Sequence, residues 1–306
     1  MNKRMSKKFS GRNIHGILLL NKPLGISSNA ALQQVKRLFQ ARKAGHTGSL
    51  DNLATGLLPI CLGEATKFSG FLLDADKYYR AECLLGATTT TGDGEGEVIT
   101  TQSVVGIQRQ KIDEVIQTFI GTIQQIPPMY SAIKYHGKPL YQLARQNKTV
   151  ERQPRSIQIH SLTVTNWVEN RLTIEVHCSK GTYIRTLAED IGKALGCGAY
   201  LSALHRFGVG EYRDMIDVAT LEERAQQGLA SLDQLLLDMH TALSSWQEIH
   251  LTEELAYYVR QGQAIQVSHA PTQGLVKLFI NKEFIGVGEI LDDGRIAPRR
   301  LINLNG

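Results

Sequence analysis

At 306 residues and 33.9 kDa, and at about 150 residues per domain, the chain is expected to hold two domains. Its 42% hydrophobic and 21% charged residues are the makeup of a folded protein and exclude a disordered or low-complexity one. The net charge of +5 averages two basic blocks, residues 1–12 and 134–155, over a net-acidic remainder, and such concentration suits a polyanionic partner.

The first block carries Lys3, Arg4, Lys7, Lys8 and Arg12 and imitates a secretion signal, but the apolar residues 17–20 run straight into Asn21, Lys22 and Pro23, so the apolar core of a signal is missing. No apolar run approaches the roughly 20 residues that span a bilayer, and a cytoplasmic protein without membrane contact is expected. Residues 16–20 predict a buried strand, and Ser27 or Ser28 can cap a helix carrying Leu32, Val35, Leu38 and Phe39. Residues 43–66 are rich in glycine and small side chains and predict loops. A strand over residues 78–86 puts Tyr79, Ala81, Cys83 and Leu85 on one face, and Ile112, Val115, Ile116 and Phe119 mark an amphipathic helix. After Pro127 and Pro128 comes the second basic block (Lys134, Lys138, Arg145, Lys148, Arg152 and Arg155 against Glu151), with a short helix near residues 140–144. Ile157 and Ile159, then Leu172, Ile174, Val176 and Cys178, predict two strands, followed by a helix with Ile184, Leu187, Ile191 and Leu195 on one side and Gly196 as its cap. From Ile249 the pattern changes to a short helix at 253–260 and β-like runs at 274–281, 283–290 and 295–304, as in a small barrel or sandwich. The expected domains are residues 1–245 and 246–306. Cys61, Cys83, Cys178 and Cys197 show no C-x-x-C spacing, so reduced, buried thiols are expected in place of disulfides or a zinc site.

Most chemical motifs fail on inspection. The glycines around Asp93 lack the third glycine of a dinucleotide loop, and Asp93, Glu95 and Glu97 lack the rest of a calcium loop; an acidic hairpin turn is the better reading. With no P-loop and no His-x-x-x-His pair, neither a cofactor nor a metal is expected. What stands out is Asp51, the only carboxylate between residues 31 and 63, in a run of small and apolar residues. Burying a carboxylate there is costly unless a cation or hydrogen bonds compensate, although a turn-capping role would also account for it. A hydrolase triad of Ser49, His46 and Asp51 is disfavoured, because three residues within six rarely converge and no nucleophile elbow is present.

The run GHTGSLDNLATGLLPI (45–60) resembles the catalytic motif of the TruB family of bacterial tRNA pseudouridine-55 synthases. The resemblance extends through LNKPLGISS (20–28), DKYYR (76–80), PPMYSAIK (127–134), CSKGTYIRTL (178–187) and LHRF (204–207). FIGVGE (284–289) and GRIAPRR (294–300) are similar to the family's C-terminal PUA-type domain.

The resemblance implies an α+β pseudouridine synthase fold with a mixed, mainly antiparallel sheet, plus a small PUA-like β-barrel. It implies isomerisation of uridine 55 in the tRNA T-loop, without cofactor, on a flipped-out base; a non-catalytic tRNA-binding or folding module on the same scaffold is the alternative. Asp51 matches the catalytic aspartate, which either attacks the sugar or stabilises and deprotonates intermediates at the anomeric carbon. Arg185 matches the arginine paired with it, expected to keep it ionised. Tyr79 matches the tyrosine that stacks on the base and assists proton removal from C5, Tyr183 and Leu204 match pocket-lining positions, His46 matches a residue holding the RNA, and Lys22 a lysine near the site. Residues 124–155 fall where the family carries an RNA-binding insertion, so Lys134, Lys138, Arg145, Lys148 and Arg152 are expected on the RNA backbone. The T-arm is the expected partner, with acceptor-stem contact by the C-terminal domain, and no obligate protein partner is expected. Ser49, Asn52, Thr90 and Asn21 depart from the usual pattern without touching the expected catalytic set.

Overall fold

The computed structural model describes residues 11–146 and 148–303. The basic residues Lys3, Arg4, Lys7 and Lys8 lie outside them, whereas Arg12 donates to both carboxylate oxygens of Asp233 at 2.8 and 2.6 Å.

Strand β1 (Gly16–Lys22) leads into helix α1 (Ser28–Leu38). Ser27 is its cap, accepting from the Ala30 amide at 3.1 Å, while the hydroxyl of Ser28 is spent elsewhere. Strands β2 (Ala44–His46) and β3 (Ala54–Leu62) follow, so much of the stretch expected to be loop is regular. Side chains decide this against glycine content: Leu57, Leu58, Ile60, Cys61 and Leu62 are fully buried, the continuous apolar run of a strand covered on both faces. Helix α2 (Ser69–Asp74), strand β4 (Lys77–Leu85), the hairpin of β5 (Ala87–Thr89) and β6 (Val98–Thr101), helix α3 (Arg109–Gln117) and strand β7 (Gly121–Gln125) come next. The basic block forms a small hairpin, β8 (Lys134–Tyr135) and β9 (Lys138–Pro139), and helix α4 (Leu140–Ala144). Strands β10 (Arg155–Val168) and β11 (Arg171–Cys178) precede helix α5 (Ile184–Leu195), which ends on Gly196 in the left-handed conformation at φ 81°. Strands β12 (Ala199–Val209) and β13 (Ile216–Asp217) and helices α6 (Val218–Gln226) and α7 (Leu229–Asp233) complete this part.

The main sheet has nine strands among the described residues, in the order β13-β1-β3-β12-β4-β11-β10-β7, with β2 paired to β3. It is mixed and mainly antiparallel, as expected; β1–β13 and β3–β12 are its parallel pairs. Alternation along the strands separates two apolar layers. Leu18, Leu20, Leu58, Ile60, Ala81, Cys83, Ile174 and Val176 share one core with the buried faces of α1, α3 and α5. Ile17, Leu19, Leu57, Cys61 and Val209 pack with Leu72 of α2 in another. All four cysteines are buried and unbridged.

Strand β14 (Glu248–Leu251), helix α8 (Glu253–Arg260) and strands β15 (Gly274–Ile280), β16 (Glu283–Ile290) and β17 (Ile296–Leu301) form the C-terminal part. Its sheet, ordered β14-β15-β16-β17, is open: among the described residues no ladder joins β14 to β17, so the expected barrel is not closed. Strand β14 supplies only four residues, paired parallel to β15, and the far edge of β17 is met by a single bridge from Ile265 to Ile296. Phe279, Phe284 and Val287 pack on Phe68, Leu243 and Trp246, so an aromatic seam ties this sheet to the larger one.

Candidate active site

Asp51 lies in the connection from β2 to β3, and its backbone is fixed on several sides. Ser28 Oγ accepts from the Leu50 amide at 2.7 Å and donates to the Leu50 carbonyl at 3.0 Å. Ala54 N–H donates to the Asp51 carbonyl at 3.1 Å, and Gly25 N–H to that of Asn52 at 2.9 Å. The carboxylate itself remains 46% exposed, on a rigid support and open to a ligand.

Arg185, in the first turn of α5, places Nε 3.0 Å from Asp51 Oδ2 although its own side chain is only 5% exposed. The rest of its guanidinium is committed inward. Nη1 donates to the Thr91 carbonyl at 3.1 Å and lies 3.5 Å from Asp93 Oδ2, and Nη2 donates to the Tyr130 carbonyl at 2.7 Å. Asp93 belongs to the expected acidic hairpin turn, but its side chain is 3% exposed, bonded by the Thr91 hydroxyl and the Glu95 amide. Its alternation with Glu95 and Glu97 hid this, because solvated turns carry the same pattern. Crowding by protein pushes the Asp51 carboxyl above the usual range, and Asp93 adds to the rise; Arg185 and Lys22 pull it down. Burial outweighs the arginine, so the pair resists the upward shift without cancelling it.

Tyr79 stands on β4 opposite Arg206 of β12, and burial pushes its phenol upward. Arg206, 1% exposed, donates to the carbonyls of Leu57 at 2.7 Å and Gly48 at 3.0 Å and is hydrogen-bonded to Tyr79. It resolves an oddity of β3, which holds Pro59 in a central strand. On the side away from β1, β3 pairs with β12 at residues 54–56 and with β2 at 60–62, leaving a gap where proline costs no ladder bond. In that gap Arg206 satisfies Leu57, and the Thr47 amide satisfies Pro59 at 3.1 Å. Gly56 is explained here too: a Cβ would stand 2.2 Å from the Arg206 carbonyl oxygen, so its glycine serves strand pairing and not approach of a ligand. Within the LHRF block Arg206 carries no signal of its own, since a lone arginine in a strand reads as solvated.

His46, half-buried, has its Nδ1 enclosed without a hydrogen-bond partner, and burial with Arg206 nearby lowers its pKa. Tyr183 immediately precedes α5, its backbone N–H and C=O both paired with the Gln125 side chain at 2.8 and 3.0 Å, and Leu204 is 9% exposed between Ala54 and Ala81. The charge of Asp51 raises the phenol pKa of both Tyr79 and Tyr183, adding to the larger effect of burial. Lys22 ends β1. It is fully buried, donates to the carbonyls of Pro23 at 2.8 Å and Ile26 at 2.7 Å, and burial draws its ammonium down to about 8. It shapes the turn that carries Gly25. In the basic block Lys134, Lys138, Arg145 and Lys148 are exposed, whereas Arg152 is half-buried and donates to the Pro127 carbonyl at 3.1 Å, bracing the base of the segment.

Residues 36–184 match the TruB family pseudouridylate synthase N-terminal domain, 185–244 the tRNA pseudouridylate synthase B C-terminal domain, and 248–302 the pseudouridine synthase II TruB C-terminal domain. A protein of Nitrosococcus oceani named tRNA pseudouridine synthase B is 56% identical over 98% of each chain. The chain belongs to the TruB family. Its relatives of the same name in Coxiella burnetii and Yersinia pestis are 52% identical over 96% of this chain and 97% of theirs, and 51% identical over 95% and 93%. Among solved structures, a Cbf5–Nop10–Gar1 complex aligns with a TM-score of 0.72 at 24% identity, over 94% of this chain and 84% of the other. An H/ACA RNP bound to a substrate RNA containing 2′-deoxyuridine gives 0.72 at 20% identity, over 95% and 86%. These two likenesses are of fold, and they place this TruB chain on the pseudouridine synthase scaffold.

Proposed function

We propose that this chain converts uridine 55 in the T-loop of tRNA to pseudouridine, with Asp51 as the catalytic carboxylate. The reaction breaks the bond from uracil N1 to ribose C1′ and joins C1′ to C5, while the C5 proton leaves and N1 regains one; it is an isomerisation. The observation that carries this reading is the open carboxylate of Asp51 on a buried arginine, 3.0 Å away. A carboxylate so held can meet positive charge developing at C1′, and Tyr79 offers a ring face for the extruded base. His46, Tyr183 and Leu204 line the rest of the pocket in this reading, and Arg185 is a positioning residue that also sets the charge of Asp51. A non-catalytic tRNA-binding module would need none of this buried scaffolding behind one exposed acid.

The exposed Lys134, Lys138, Arg145 and Lys148 meet phosphates of the T-arm, and residues 246–306, as a separate C-terminal domain, reach toward the acceptor stem. No helix among the described residues is long and apolar enough to cross a membrane. Action in the cytoplasm is the reading that a tRNA substrate supports. Asp51→Asn, assayed on T-arm RNA for both product and binding, tests the reading. It is expected to bind RNA and form no product; product at the parental rate would overturn the assignment.

A further inference from the structure

Outside the pocket, three side chains from three separate strand regions converge. Asp76 immediately precedes β4, His160 lies on β10 and His177 on β11. His160 Nε2 stands 3.2 Å from Asp76 Oδ2 and His177 Nε2 stands 3.5 Å from the same oxygen. The three potential ligand atoms all lie within 4.8 Å of one another. A β-bulge creates this meeting: Ile159 pairs with Cys178 and Ser161 with His177, leaving His160 as the extra residue, turned toward the His177 ring at 4.5 Å between centroids.

Ring contacts hold His177 in place. Its ring stacks on Tyr78 at 4.0 Å and 13°, with the Arg213 guanidinium 3.8 Å above the other ring, yet its Nε2 is buried without a hydrogen-bond partner. The nearby cations are otherwise engaged: Lys180 pairs with Asp74 at 2.8 Å, and Arg213 donates to the carbonyls of Gly210 and Tyr212.

We propose that Asp76, His160 and His177 form a binding site for a divalent transition metal of the zinc class, on the sheet face opposite the Tyr79 side chain. Two imidazoles and a carboxylate are the donor set such ions prefer over magnesium or calcium. With metal–ligand bonds of about 2.0–2.2 Å, a tetrahedral site has ligand–ligand edges of about 3.4 Å. Two edges of the triangle, 3.2 and 3.5 Å, already match. The edge between the imidazoles lies within 4.8 Å. Three protein ligands leave one position for water. A bound ion would clamp β10 and β11 to the start of β4, the strand that carries Tyr79, without entering the catalytic pocket.

The test uses the full chain, stripped with a chelator and titrated with cobalt(II) at neutral pH, followed by displacement with zinc(II). One equivalent should bind with visible absorption bands of a low-symmetry site and raise the melting temperature, and zinc should bleach the bands. His160→Ala and the His160→Ala/His177→Ala pair should each weaken cobalt binding at least about tenfold, the scale on which even outer partners of metal ligands act. His160 is surface-exposed at a bulge, so its single variant keeps the test sound if the pair fails to fold. His250→Ala should bind like the parent. Failure to take up one equivalent, or equal affinity in His160→Ala and the parent, overturns the site.

Discussion

Asp93 lies beneath Arg185, with Oδ2 3.5 Å from Nη1, and both side chains are almost wholly enclosed. The same guanidinium turns its Nε outward to Asp51. A buried acid thus fixes the cation that an exposed acid uses, and the hairpin of β5 and β6 becomes part of the site. Removing one partner of a buried pair leaves the other charge uncompensated, so Asp93→Ala should destabilise the fold by about 3–5 kcal/mol, read from urea unfolding. Asp93→Asn keeps the shape and loosens the hold on Arg185; a displacement of about 1 Å at the reacting groups costs about 100-fold in turnover. Parental stability and turnover in these variants would contradict the arrangement.

The carboxyl of Asp51 titrates above its ordinary 3.8. If the ionised form is the active one, turnover falls as pH drops through that raised value, and the acid limb of the rate profile lies above that of an ordinary aspartate. Arg185 lowers the value by charge and by hydrogen bond, so Arg185→Gln moves it further up. NMR titration of the Asp51 carboxyl in the free protein checks this, and an unchanged or lower midpoint in the variant would refute it. The stability linkage has the opposite sense: the folded state holds the Asp51 proton more tightly, so its contribution is favourable at low pH and is lost as pH rises from the unfolded value through the folded one.

Arg206 satisfies the Leu57 carbonyl of β3, the Gly48 carbonyl of the β2–β3 connection and Tyr79 with one planar group. Lysine cannot reproduce that fork. At about 1.5–3 kcal/mol for a hydrogen bond to a charged group, Arg206→Lys should lower stability by about that much and reduce turnover by freeing Tyr79. Denaturation midpoints and single-turnover rates measure both; an unaltered midpoint would mean that the gap beside Pro59 closes in another way.

The exposed cations of the basic block give the fourth expectation. Neutralising Lys134, Lys138 and Arg145 together should reduce the slope of log affinity for T-arm RNA against log salt by about two to three, at 0.7–0.9 per phosphate contact. Arg152, held by Pro127, should alter the fold of the segment more than the slope. A triple variant with the parental slope would remove this block from the interface.

Local sequence determined much of this protein. Period-two alternation located β4 and β11, helical periodicity located α3 and α5, and Ser27 and Gly196 marked helix ends, because each is a short-range preference written within a few residues. Asp51 and Arg185 were legible through their motifs, which are contiguous runs of sequence. Tertiary structure decided the rest. Strand β3 is regular because neighbours bury both of its faces, whatever its glycines prefer, and the C-terminal sheet stays open because β14 pairs only with β15. Whether a charged residue is solvated or enclosed depends on what packs over it: Asp93, Arg206 and Lys22 look like surface residues along the chain and are buried parts of the site. Asp76, His160 and His177 have no motif spacing at all, and they meet only because three strands lie side by side and a bulge turns one of the histidines toward the other.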